Sequence, residues 1–483
     1  MADVLVVDLG TTGVRAMRID PTGAVGAHHY VESPPSVPGP GMVEHDPGRL
    51  VTDAETTVAA ITAPGDDIAA VGITVQRSTT VVWDASTGEP VGPAIGWQDL
   101  RTLGECLGAV AAGLRMSPNA SGTKCQVLVR AGREKGVADA DLRFGTLDTW
   151  LAWRWSGGGL HVTDPTNAGV TAMADATVTG WDPHVLEVLD VPMTAMPRIV
   201  PTSAPAGPVT IAGVETELAC LVGDQQASLV GQGGIAPGVT KATLGTAAMV
   251  DVNTGTEAPP IEVTSTYPVV VASTPERTWY GREATVISAG DAVRGLVELG
   301  IAASPEEVSA LAGQVDDTGG VRYVPALLGL GTPYWDYGAR GTLTGLSLGS
   351  DRRHACRAVL EGIAWRVAEC VAAVGADTAA TATAVHVDGG AARSEVLCQA
   401  IADRCGVPVL RSTEREATAY GCGLLAGLAV GAWDLDAVAA LPSVERTFEP
   451  AWSADRRGSD GDGWRAAVAA SQRWIEPLSA LAF

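Results

Sequence analysis

The sequence predicts an α/β protein built from two lobes. At 483 residues the chain is too long for one ordinary hydrophobic core. Both halves contain an apolar strand, a glycine–threonine turn and a second strand, in DLGTTGV from Asp8 and in TLGTAAM from Thr243. Gly10 and Gly245 lie about half the chain length apart, as a duplicated lobe would place them. Leu-Gly-Thr could also recur by chance in a chain rich in Ala, Gly and Thr, so the tripeptide alone leaves both explanations open.

The first half begins with a predicted β-meander. VLVVDLG is a short β-branched run that reads as a buried strand ending in a tight turn. VRAMRID and AVGAHHYV follow around a PTG turn, which differs from the strand-to-helix unit of dinucleotide-binding folds. Further along, the pattern predicts a helix over 47–63, a strand at IAAVGITV, a hairpin around 86–88 and a helix in GTLDTWLAWRW.

The second half repeats this order of elements. TKATLGTAAMVDVNTG predicts strand, turn and strand, and apolar spacing predicts a helix over 353–371. AVHVDGG predicts a strand that opens into a glycine turn. RSEVLCQAIADRCG predicts a helix ended by Gly406, and VPVL the next strand. TAYGCGLLAGLAVG predicts a helix of small residues that can pack closely against a sheet.

Charge and motif content exclude several functions. A net charge of −23 argues against nucleic-acid and anionic-membrane partners, although backbone N–H groups, helix N-termini and a metal ion could still hold an anionic small ligand. None of the three lysines, Lys124, Lys135 and Lys241, precedes Ser or Thr, so the P-loop is absent. The protein-kinase motifs H-R-D and D-F-G are absent as well.

Cysteine and hydropathy patterns predict a cytoplasmic protein without zinc. The eight cysteines form no C-x-x-C pair and the histidines are scattered. We interpret the cysteines as small buried hydrophobes in a reducing compartment. The sequence shows no secretory signal and no apolar run of about 18 residues.

The stretch DLGTTGVR carries groups that suit a phosphate and its cation. Gly10 lets backbone N–H groups approach a phosphate, Thr11 and Thr12 add hydroxyl donors, and Arg15 adds a positive charge. Asp8 could hold Mg²⁺ directly or through water. An ordinary Asp-Gly turn would look the same in sequence.

Two further stretches carry candidate chemistry. In LVGDQQ, Asp224 opens a helix-like segment, where it could be a helix N-cap or the base that accepts a proton from an alcohol. In VDGGAARSE, Gly389 and Gly390 would let a flat ligand such as adenine approach, although such turns are common. Sequence position alone leaves these alternatives open.

Taken together, these stretches resemble the FGGY carbohydrate kinases, within the actin/Hsp70-like ATPase superfamily, and most closely the glycerol kinases. The resemblance runs through nearly the whole chain in family order: VVDLGTTGVRAMRID, GMVEHDP, GITVQRSTTVVWD, AIGWQDLRT, SGTK, FGTLDTWLAWRW, HVTDPTNA, GDQQASLVGQ, VPALLGLGTPYWDYGARGTLTGLSLG, VDGGAARSEVLCQAIADRCGVPV and EATAYGCGLLAGLAVG. It implies two ribonuclease-H-like lobes, 1–236 and 237–483, with a nucleotide cleft between them. It also implies ATP as phosphate donor, Mg²⁺ as cofactor and an internal duplication.

The resemblance assigns roles on the nucleotide side of the cleft. Asp8 matches the Mg²⁺ acid, and Thr11, Thr12 and Arg15 match the first phosphate loop. The second phosphate loop and the remaining nucleotide contacts match Gly245, Thr246, Gly290, Arg294, Gly390 and Ser394. The family usually has Gln at position 294 and Asn at position 394, so the adenine or ribose contacts are expected to differ here.

On the acceptor side, Asp224 matches the general base. The polyol pocket matches Gln76, Arg77, Ser78, Trp97, Asn119, Gln225 and Met249. Glycerol kinases typically have Glu, Tyr and Phe where this chain has Ser78, Asn119 and Met249. Losing a charge-assisted hydrogen bond costs about 1.5–3 kcal/mol. The smaller side chains also predict a wider pocket, and hence an acceptor larger than glycerol.

Three other functions use the same fold. They are a ketopentose (xylulose-type) kinase, a non-catalytic ATP-binding sensor, and an ATPase of the chaperone or filament kind. QRST and WQDLRT belong to the sugar-kinase pattern, which argues against the third. We expect a small polyol or sugar as partner, no nucleic acid and no membrane, and the sequence leaves a homodimer open.

Overall fold

A computed structural model of the protein describes residues 2–63, 65–259, 264–378 and 381–479. The first half contains β1 (Asp3–Leu9), β2 (Gly13–Ile19), β3 (Val25–Glu32), β4 (Glu44–His45), α1 (Pro47–Ala59), β5 (Ile68–Val75), β6 (Thr80–Asp84), β7 (Glu89–Pro90), β8 (Ala94–Ile95), α2 (Leu103–Ala111), α3 (Gly122–Glu134), β9 (Leu142–Thr146), α4 (Leu147–Trp155), β10 (Val162–Thr163), α5 (Pro165–Ala168), α6 (Pro183–Val188), β11 (Arg198–Ile199), β12 (Ser203–Ile211), β13 (Val214–Gly223) and α7 (Asp224–Gly231). The second half contains β14 (Thr240–Leu244), β15 (Ala248–Gly255), β16 (Tyr267–Ser273), β17 (Thr278–Val286), α8 (Gly290–Glu298), α9 (Pro305–Ala312), β18 (Arg322–Val324), β19 (Thr342–Thr344), α10 (Arg352–Thr378), β20 (Val385–Asp388), α11 (Glu395–Cys405), β21 (Val409–Ser412), α12 (Ala417–Ala429), α13 (Leu435–Ala440), β22 (Val444–Phe448), α14 (Ala454–Ser471) and α15 (Glu476–Ser479).

Two sheets share one topology. The first runs β12-β13-β5-β1-β2-β3, and the second runs β22-β21-β20-β14-β15-β17 with β16 added at its edge. In each sheet the central strand pairs antiparallel with the strand that follows its glycine turn and parallel with a strand on its other side. The matching strand order makes chance recurrence of Leu-Gly-Thr untenable, and it confirms the prediction of two related lobes.

Parallel pairing places the candidate residues at one edge of each sheet. Leu9 pairs with Val75, and Val75 pairs with Gly223, so β1, β5 and β13 end together. The chain therefore leaves this edge at Gly10, at Gln76 and at Asp224. In the second sheet Thr243 on β14 lies opposite Asp388 on β20, which brings the turns after these two strands together.

A smaller sheet completes the first lobe. Strands β4, β8, β6, β7 and β9 form it, and α2, α3 and α6 cover it with a separate apolar core. This layer supplies Trp97 and Asn119, which follow β8 and precede α3. The hairpin predicted around 86–88 is confirmed by the antiparallel pairing of β6 with β7.

Two predicted helices have different bounds in the structure. The helix predicted over 47–63 ends at Ala59, and the Ala63 backbone N–H then donates to the Asp66 carboxylate at 3.1 Å, which turns the chain instead of extending the helix. The helix predicted over 353–371 continues to Thr378 because Ala373 and Val374 still bury against the second lobe.

The small-residue helix α12 packs against the first lobe, although it lies late in the chain. It contacts α7, β5, β13 and β1. A Cβ on Gly421 would lie 1.9 Å from the Ala227 carbonyl oxygen, and one on Gly231 would lie 2.0 Å from the Ala417 oxygen. Glycines thus let α12 and α7 touch backbone to backbone. The division into 1–236 and 237–483 stays a prediction, and α12 belongs to the second range but packs against elements of the first.

Gly421→Ala is expected to destabilise the fold. A methyl group there cannot fit without separating α12 from α7, which costs about 1–3 kcal/mol or more of unfolding free energy. Urea denaturation measures this loss. The control is Gly458→Ala on α14, where a Cβ would meet nothing within 4 Å. That change is expected to stabilise the helix by about 0.5–1 kcal/mol, and equal effects at both sites would refute the close packing.

The burial of the cysteines agrees with their interpretation as small buried hydrophobes. Seven cysteines are buried, Cys405 is half-buried, and all eight are free thiols. Within the described ranges, no helix combines the length and the apolar character needed to cross a bilayer.

Candidate active site

The first glycine turn lies between β1 and β2. The Gly10 backbone N–H donates to the Gly13 carbonyl at 3.0 Å, which closes the turn. The Thr11 hydroxyl accepts a hydrogen bond from the Trp97 indole N–H at 3.1 Å and keeps its own proton free to donate. Thr12 is exposed at the tip of the turn. The turn therefore offers hydroxyl donors to an anion and touches a residue of the predicted acceptor pocket.

Asp8 lies beneath this turn and is nearly buried. Arg15 Nη1 is 3.6 Å from Asp8 Oδ2 and 2.5 Å from Glu416 Oε2 at the start of α12. Burial raises the pKa of Asp8 to about 7, Arg15 opposes that shift, and the nearby charges of Asp224 and Glu416 add to it. Glu416 was not identified from the sequence, because nothing local connects it to residue 15.

Asp8 fits a role in holding a divalent cation. A buried carboxylate with a raised pKa is unfavourable as an isolated anion, and a cation beside it offsets that cost. In the part of the chain that the structure describes, no three His, Cys, Asp or Glu side chains cluster to form a metal site. Mg²⁺ commonly binds one or two carboxylates together with phosphate oxygens and water, which suits a single acid here.

Asp224 is the first residue of α7, and Gly223 is the N-cap. Its sequence position had left an N-cap role open, and the structure assigns that position to Gly223. Asp224 Oδ1 accepts from the Gln225 backbone N–H at 2.8 Å and lies 3.5 Å from Arg77 Nε. Burial raises the pKa of Asp224, while Arg77 and Lys241 lower it.

The backbone before Asp224 is fixed by a buried hydrogen-bond chain. The Gly223 N–H donates to Thr166 Oγ1 at 2.7 Å, and the Thr166 hydroxyl donates to Asp164 Oδ1 at 2.9 Å. Asp164 also caps α5 by accepting from the backbone N–H groups of Thr166 and Asn167. The start of α7 thus has little freedom, which suits a carboxylate that must meet a substrate.

Arg77 joins Asp224 to the second lobe. Arg77 Nη2 lies 2.7 Å from Glu283 Oε2 on β17, and Arg77 Nη1 is buried without a hydrogen-bond partner among the described residues. Burial raises the pKa of Glu283 to about 7, and the neighbouring Asp251 also raises it while Arg77 opposes both effects. Glu283 and Asp251 are functional candidates that sequence reasoning missed. The available signal was an acidic residue inside an extended segment, Asp251 in AMVDVNTG and Glu283 in TWYGREATV.

Ser78 and Asn119 present hydrogen-bond acceptors in the predicted pocket. Ser78 has a left-handed backbone (φ 62°), and its hydroxyl donates to the Val170 carbonyl at 3.2 Å. Asn119 Nδ2 donates to the Trp97 carbonyl at 2.9 Å. The Ser78 proton is therefore used, which leaves the oxygen lone pairs of Ser78, while Asn119 keeps Oδ1 and one of its two Nδ2 protons for a ligand.

Gln76 and Met249 lie at the margins of this group. Gln76 is buried, and its amide nitrogen contacts His45 Nε2 at 3.2 Å. Met249 on β15 lies opposite Thr243, and its sulfur accepts from the Thr285 hydroxyl at 3.4 Å. The described contacts link Arg77, Asp224 and Gln225 in one network. They link Trp97 and Asn119 in a second network. Among these described contacts, none joins the Met249 side chain to either network.

The second glycine turn lies against the start of α8. The Gly245 carbonyl accepts from the Gly290 N–H at 2.9 Å, and the Thr246 carbonyl accepts from the Ala289 N–H at 2.9 Å. A Cβ on Gly290 would lie 2.6 Å from the Gly245 oxygen, so this position requires glycine. Gly389 has φ 86°, and Gly390 beside it has open space.

Arg294 and Ser394 are engaged within their own surroundings. Arg294 is exposed and pairs with Asp291 and Glu298 along α8. Ser394 caps α11 by accepting from the Leu397 N–H at 3.3 Å, and its hydroxyl lies 2.7 Å from Ser309 Oγ. Ser and Asn are both favourable N-caps, which gives a physical reason for Ser where the family usually has Asn.

Two duplicated lobes with a glycine turn at the same edge of each sheet define the actin/Hsp70-like class of fold. Residues 4–231 match the N-terminal domain of the FGGY family of carbohydrate kinases, and residues 240–430 match its C-terminal domain. The chain belongs to the FGGY family of carbohydrate kinases.

Individual relatives agree with this assignment. A glycerol kinase of Trichlorobacter lovleyi is 40% identical over 497 residues, which cover 99% of this chain and 100% of the relative. One of Bordetella pertussis is 40% identical, covering 99% and 98%. The crystal structure of Plasmodium falciparum glycerol kinase with ADP superposes with a TM-score of 0.90 at 26% identity, covering 98% of each chain. A xylulose kinase of Lactobacillus acidophilus shares the fold, with a TM-score of 0.85, 20% identity and coverage of 98% and 99%.

Proposed function

We propose that the protein transfers the γ-phosphoryl group of ATP to a hydroxyl of a small polyol or sugar. The observation that carries this proposal is the position of Asp224. It is a buried carboxylate at a rigid helix start, beside Arg77 and close enough to Asp8 for the two charges to interact. A candidate base therefore adjoins a candidate phosphate turn. Family membership and the glycerol kinase relatives support the same reaction.

ATP is proposed to lie between the two glycine turns. Thr11, Thr12 and Arg15 would contact the phosphates from the first lobe, and Gly245 and Thr246 from the second. Adenine and ribose would lie near Gly290 and Gly390, where the backbone leaves open space at Gly390. Arg294 and Ser394 stay predicted nucleotide contacts. Since each already has protein partners, the nucleotide would contact the part of each side chain that faces away from those partners.

Asp8 would hold Mg²⁺ at this site. When bound, the ion would neutralise phosphate charge and orient the phosphates. Residues of the chain provide the other interactions at this site. Arg15 balances the charges of Asp8 and Glu416, and the Thr11 hydroxyl is oriented by Trp97.

Asp224 would accept the proton of the attacking alcohol. Proton removal by a positioned carboxylate helps an in-line phosphoryl transfer, whose catalysis depends mainly on position and charge. Arg77 and Gln225 would hold the same acceptor, with Gln76, Ser78, Trp97, Asn119 and Met249 lining its pocket. Closure of the lobes around both substrates would exclude water that otherwise hydrolyses ATP.

The acceptor is proposed to be larger than glycerol. Ser78 and Asn119 offer neutral acceptor atoms, so a polyol hydroxyl gains about 0.5–1.5 kcal/mol from each hydrogen bond instead of the larger gain to a carboxylate. A longer chain of hydroxyls would compensate through additional contacts in the wider pocket.

A coupled ADP-release assay across glycerol, tetritols, pentitols, ketopentoses and dihydroxyacetone tests this specificity. We expect the best four- or five-carbon acceptor to exceed glycerol in kcat/KM by at least about tenfold, the equivalent of one hydrogen bond to a charged group. A blank without acceptor sets the background of ATP hydrolysis. Glycerol as the best acceptor would contradict the wider-pocket proposal but would leave the kinase assignment intact.

The same assay separates the alternatives. A ketopentose as best acceptor would favour the xylulose-type kinase, which has the fold of several structural relatives. Absence of ADP release with every acceptor would favour a non-catalytic sensor, whereas ADP release that no acceptor stimulates would favour an ATPase. A homodimer and a cytoplasmic location stay predictions, which sedimentation and cell fractionation would test.

A further inference from the structure

Lys241 is a fully buried lysine on the face of β14 that points away from the apolar core of the second lobe. The adjacent Ala242 and Leu244 face the apolar core of the second lobe, so Lys241 and Thr243 face the opposite side. Its ammonium has three partners: Gln225 Oε1 at 2.8 Å, Thr243 Oγ1 at 2.8 Å and Asp251 Oδ2 at 2.9 Å. The first two contacts are hydrogen bonds and the third is an ion pair, and the side chain is fully buried, so the ammonium is not accessible to a substrate.

Two of these partners belong to different parts of the proposed site, one to the acceptor pocket and one to the strand before the second phosphate turn. Gln225 follows Asp224 on α7 and belongs to the acceptor pocket. Thr243 lies two residues before Gly245, at the end of the strand that leads into the second phosphate turn. Asp251 on β15 supplies the opposite charge that a buried lysine needs. One side chain therefore connects the acceptor pocket with the second phosphate turn.

The network continues on either side of Lys241. Thr243 Oγ1 lies 3.1 Å from Ser228 Oγ, and the Ser228 hydroxyl donates to Asp388 Oδ2 at 2.7 Å. Asp251 lies opposite Glu283 across β15 and β17, and Glu283 pairs with Arg77. A path of polar contacts thus runs from the strand before Gly389 to the arginine beside Asp224, and Lys241 lies at its centre.

We propose that Lys241 is a positioning residue for phosphoryl transfer, which holds Gln225 and Thr243 in one arrangement and so fixes the acceptor relative to the second phosphate turn. This inference rests on the proposed function. Its positive charge also favours the ionised form of Asp224, since it lowers the pKa of that carboxyl. The role is indirect because the Lys241 ammonium is fully buried and contacts only groups of the protein.

Lys241→Met tests the proposal by separating kcat from KM. Misplacement of reacting groups by about 1 Å costs about 100-fold, so we expect kcat to fall about 10- to 100-fold while the KM for ATP stays within about threefold. The matched control is Arg366→Met on α10, a buried cation that contacts Glu369 and the Thr332 carbonyl in the same lobe. The control should lose thermal stability and keep kcat within about threefold of wild type.

Thr243→Val is the second variant, and it tests the same contact if Lys241→Met does not fold. It keeps the β-branched shape, removes one acceptor of Lys241, and is expected to lower kcat about three- to tenfold. Combined with Lys241→Met it should cause little additional loss, since both act through one contact. Wild-type kcat in folded Lys241→Met or in Thr243→Val would overturn the proposal. Absence of acceptor-dependent ADP release in the wild-type chain would instead overturn the proposed function.

Discussion

Replacing Asp224 with asparagine is expected to lower kcat by about 10²- to 10⁴-fold, the usual contribution of a positioned general base. Asparagine has nearly the same shape but cannot accept the proton of the alcohol. The Kd of ATP should change by about twofold at most, because the phosphate turns contribute their own donors. Steady-state kinetics with the best acceptor, together with ATP titration, measures both quantities.

The pH profile provides a second readout for Asp224. Burial raises the pKa of this carboxyl, and the base must be ionised to act. Wild-type kcat/KM should therefore fall on the acid side at a higher pH than an ordinary aspartate would give, and Asp224→Asn should lose this limb. Asp148→Asn is the matched control, because burial also raises the pKa of Asp148 to about 7, and its recorded side-chain hydrogen bonds are to Thr146 and Thr163 rather than to Asp224 or Arg77. A control variant with the same loss of kcat would refute the assignment of the base.

Asp8→Asn is expected to lower kcat/KM for ATP by about 100- to 1000-fold, the scale of losing one electrostatic contact to developing charge. The amide keeps the shape but removes the negative charge that would hold Mg²⁺. The concentration of Mg²⁺ at half-maximal rate should rise, since the phosphates alone must then retain the ion. Magnesium titrations at saturating ATP measure this shift.

Asp148→Asn again supplies the comparison, since it removes a buried carboxylate from the same lobe without touching the phosphate turn. Its magnesium dependence should match that of wild type. If Asp8→Asn also keeps the wild-type magnesium dependence, the metal assignment is wrong, whatever the size of the loss in rate.

The sequence predicted those parts of the fold that depend on local pattern. β1 and β14 are short apolar runs before glycine turns, and α11 ends at Gly406 in the left-handed conformation that glycine favours. The strand order was beyond local pattern, because β5 and β13 pair across nearly 150 residues of chain. The packing of α12 against the first lobe could not be predicted either, since its small residues indicate close packing but do not identify the helix or strands that they contact.

The residues of the candidate site were likewise only partly predictable from the sequence. Motif resemblance located Asp8, Arg77 and Asp224, which the structure brings to one sheet edge. Glu283, Asp251 and Glu416 were missed, because each becomes significant only through a distant cation. Lys241 was noted in the sequence only as a lysine outside a P-loop. Thr243 occupies the position in TLGTAAM that Asp8 occupies in DLGTTGV, and the Lys241 ammonium donates to its hydroxyl oxygen.

The central claim is that this cleft transfers a phosphoryl group from ATP to an alcohol beside Asp224. Phosphorus NMR of a reaction with ATP, Mg²⁺ and the best polyol acceptor tests it most directly. We predict that a phosphate monoester of the acceptor appears in step with ADP, and that Asp224→Asn produces it at least about 100-fold more slowly. Inorganic phosphate as the sole product alongside ADP, at a rate independent of every acceptor and of Asp224, would contradict the account.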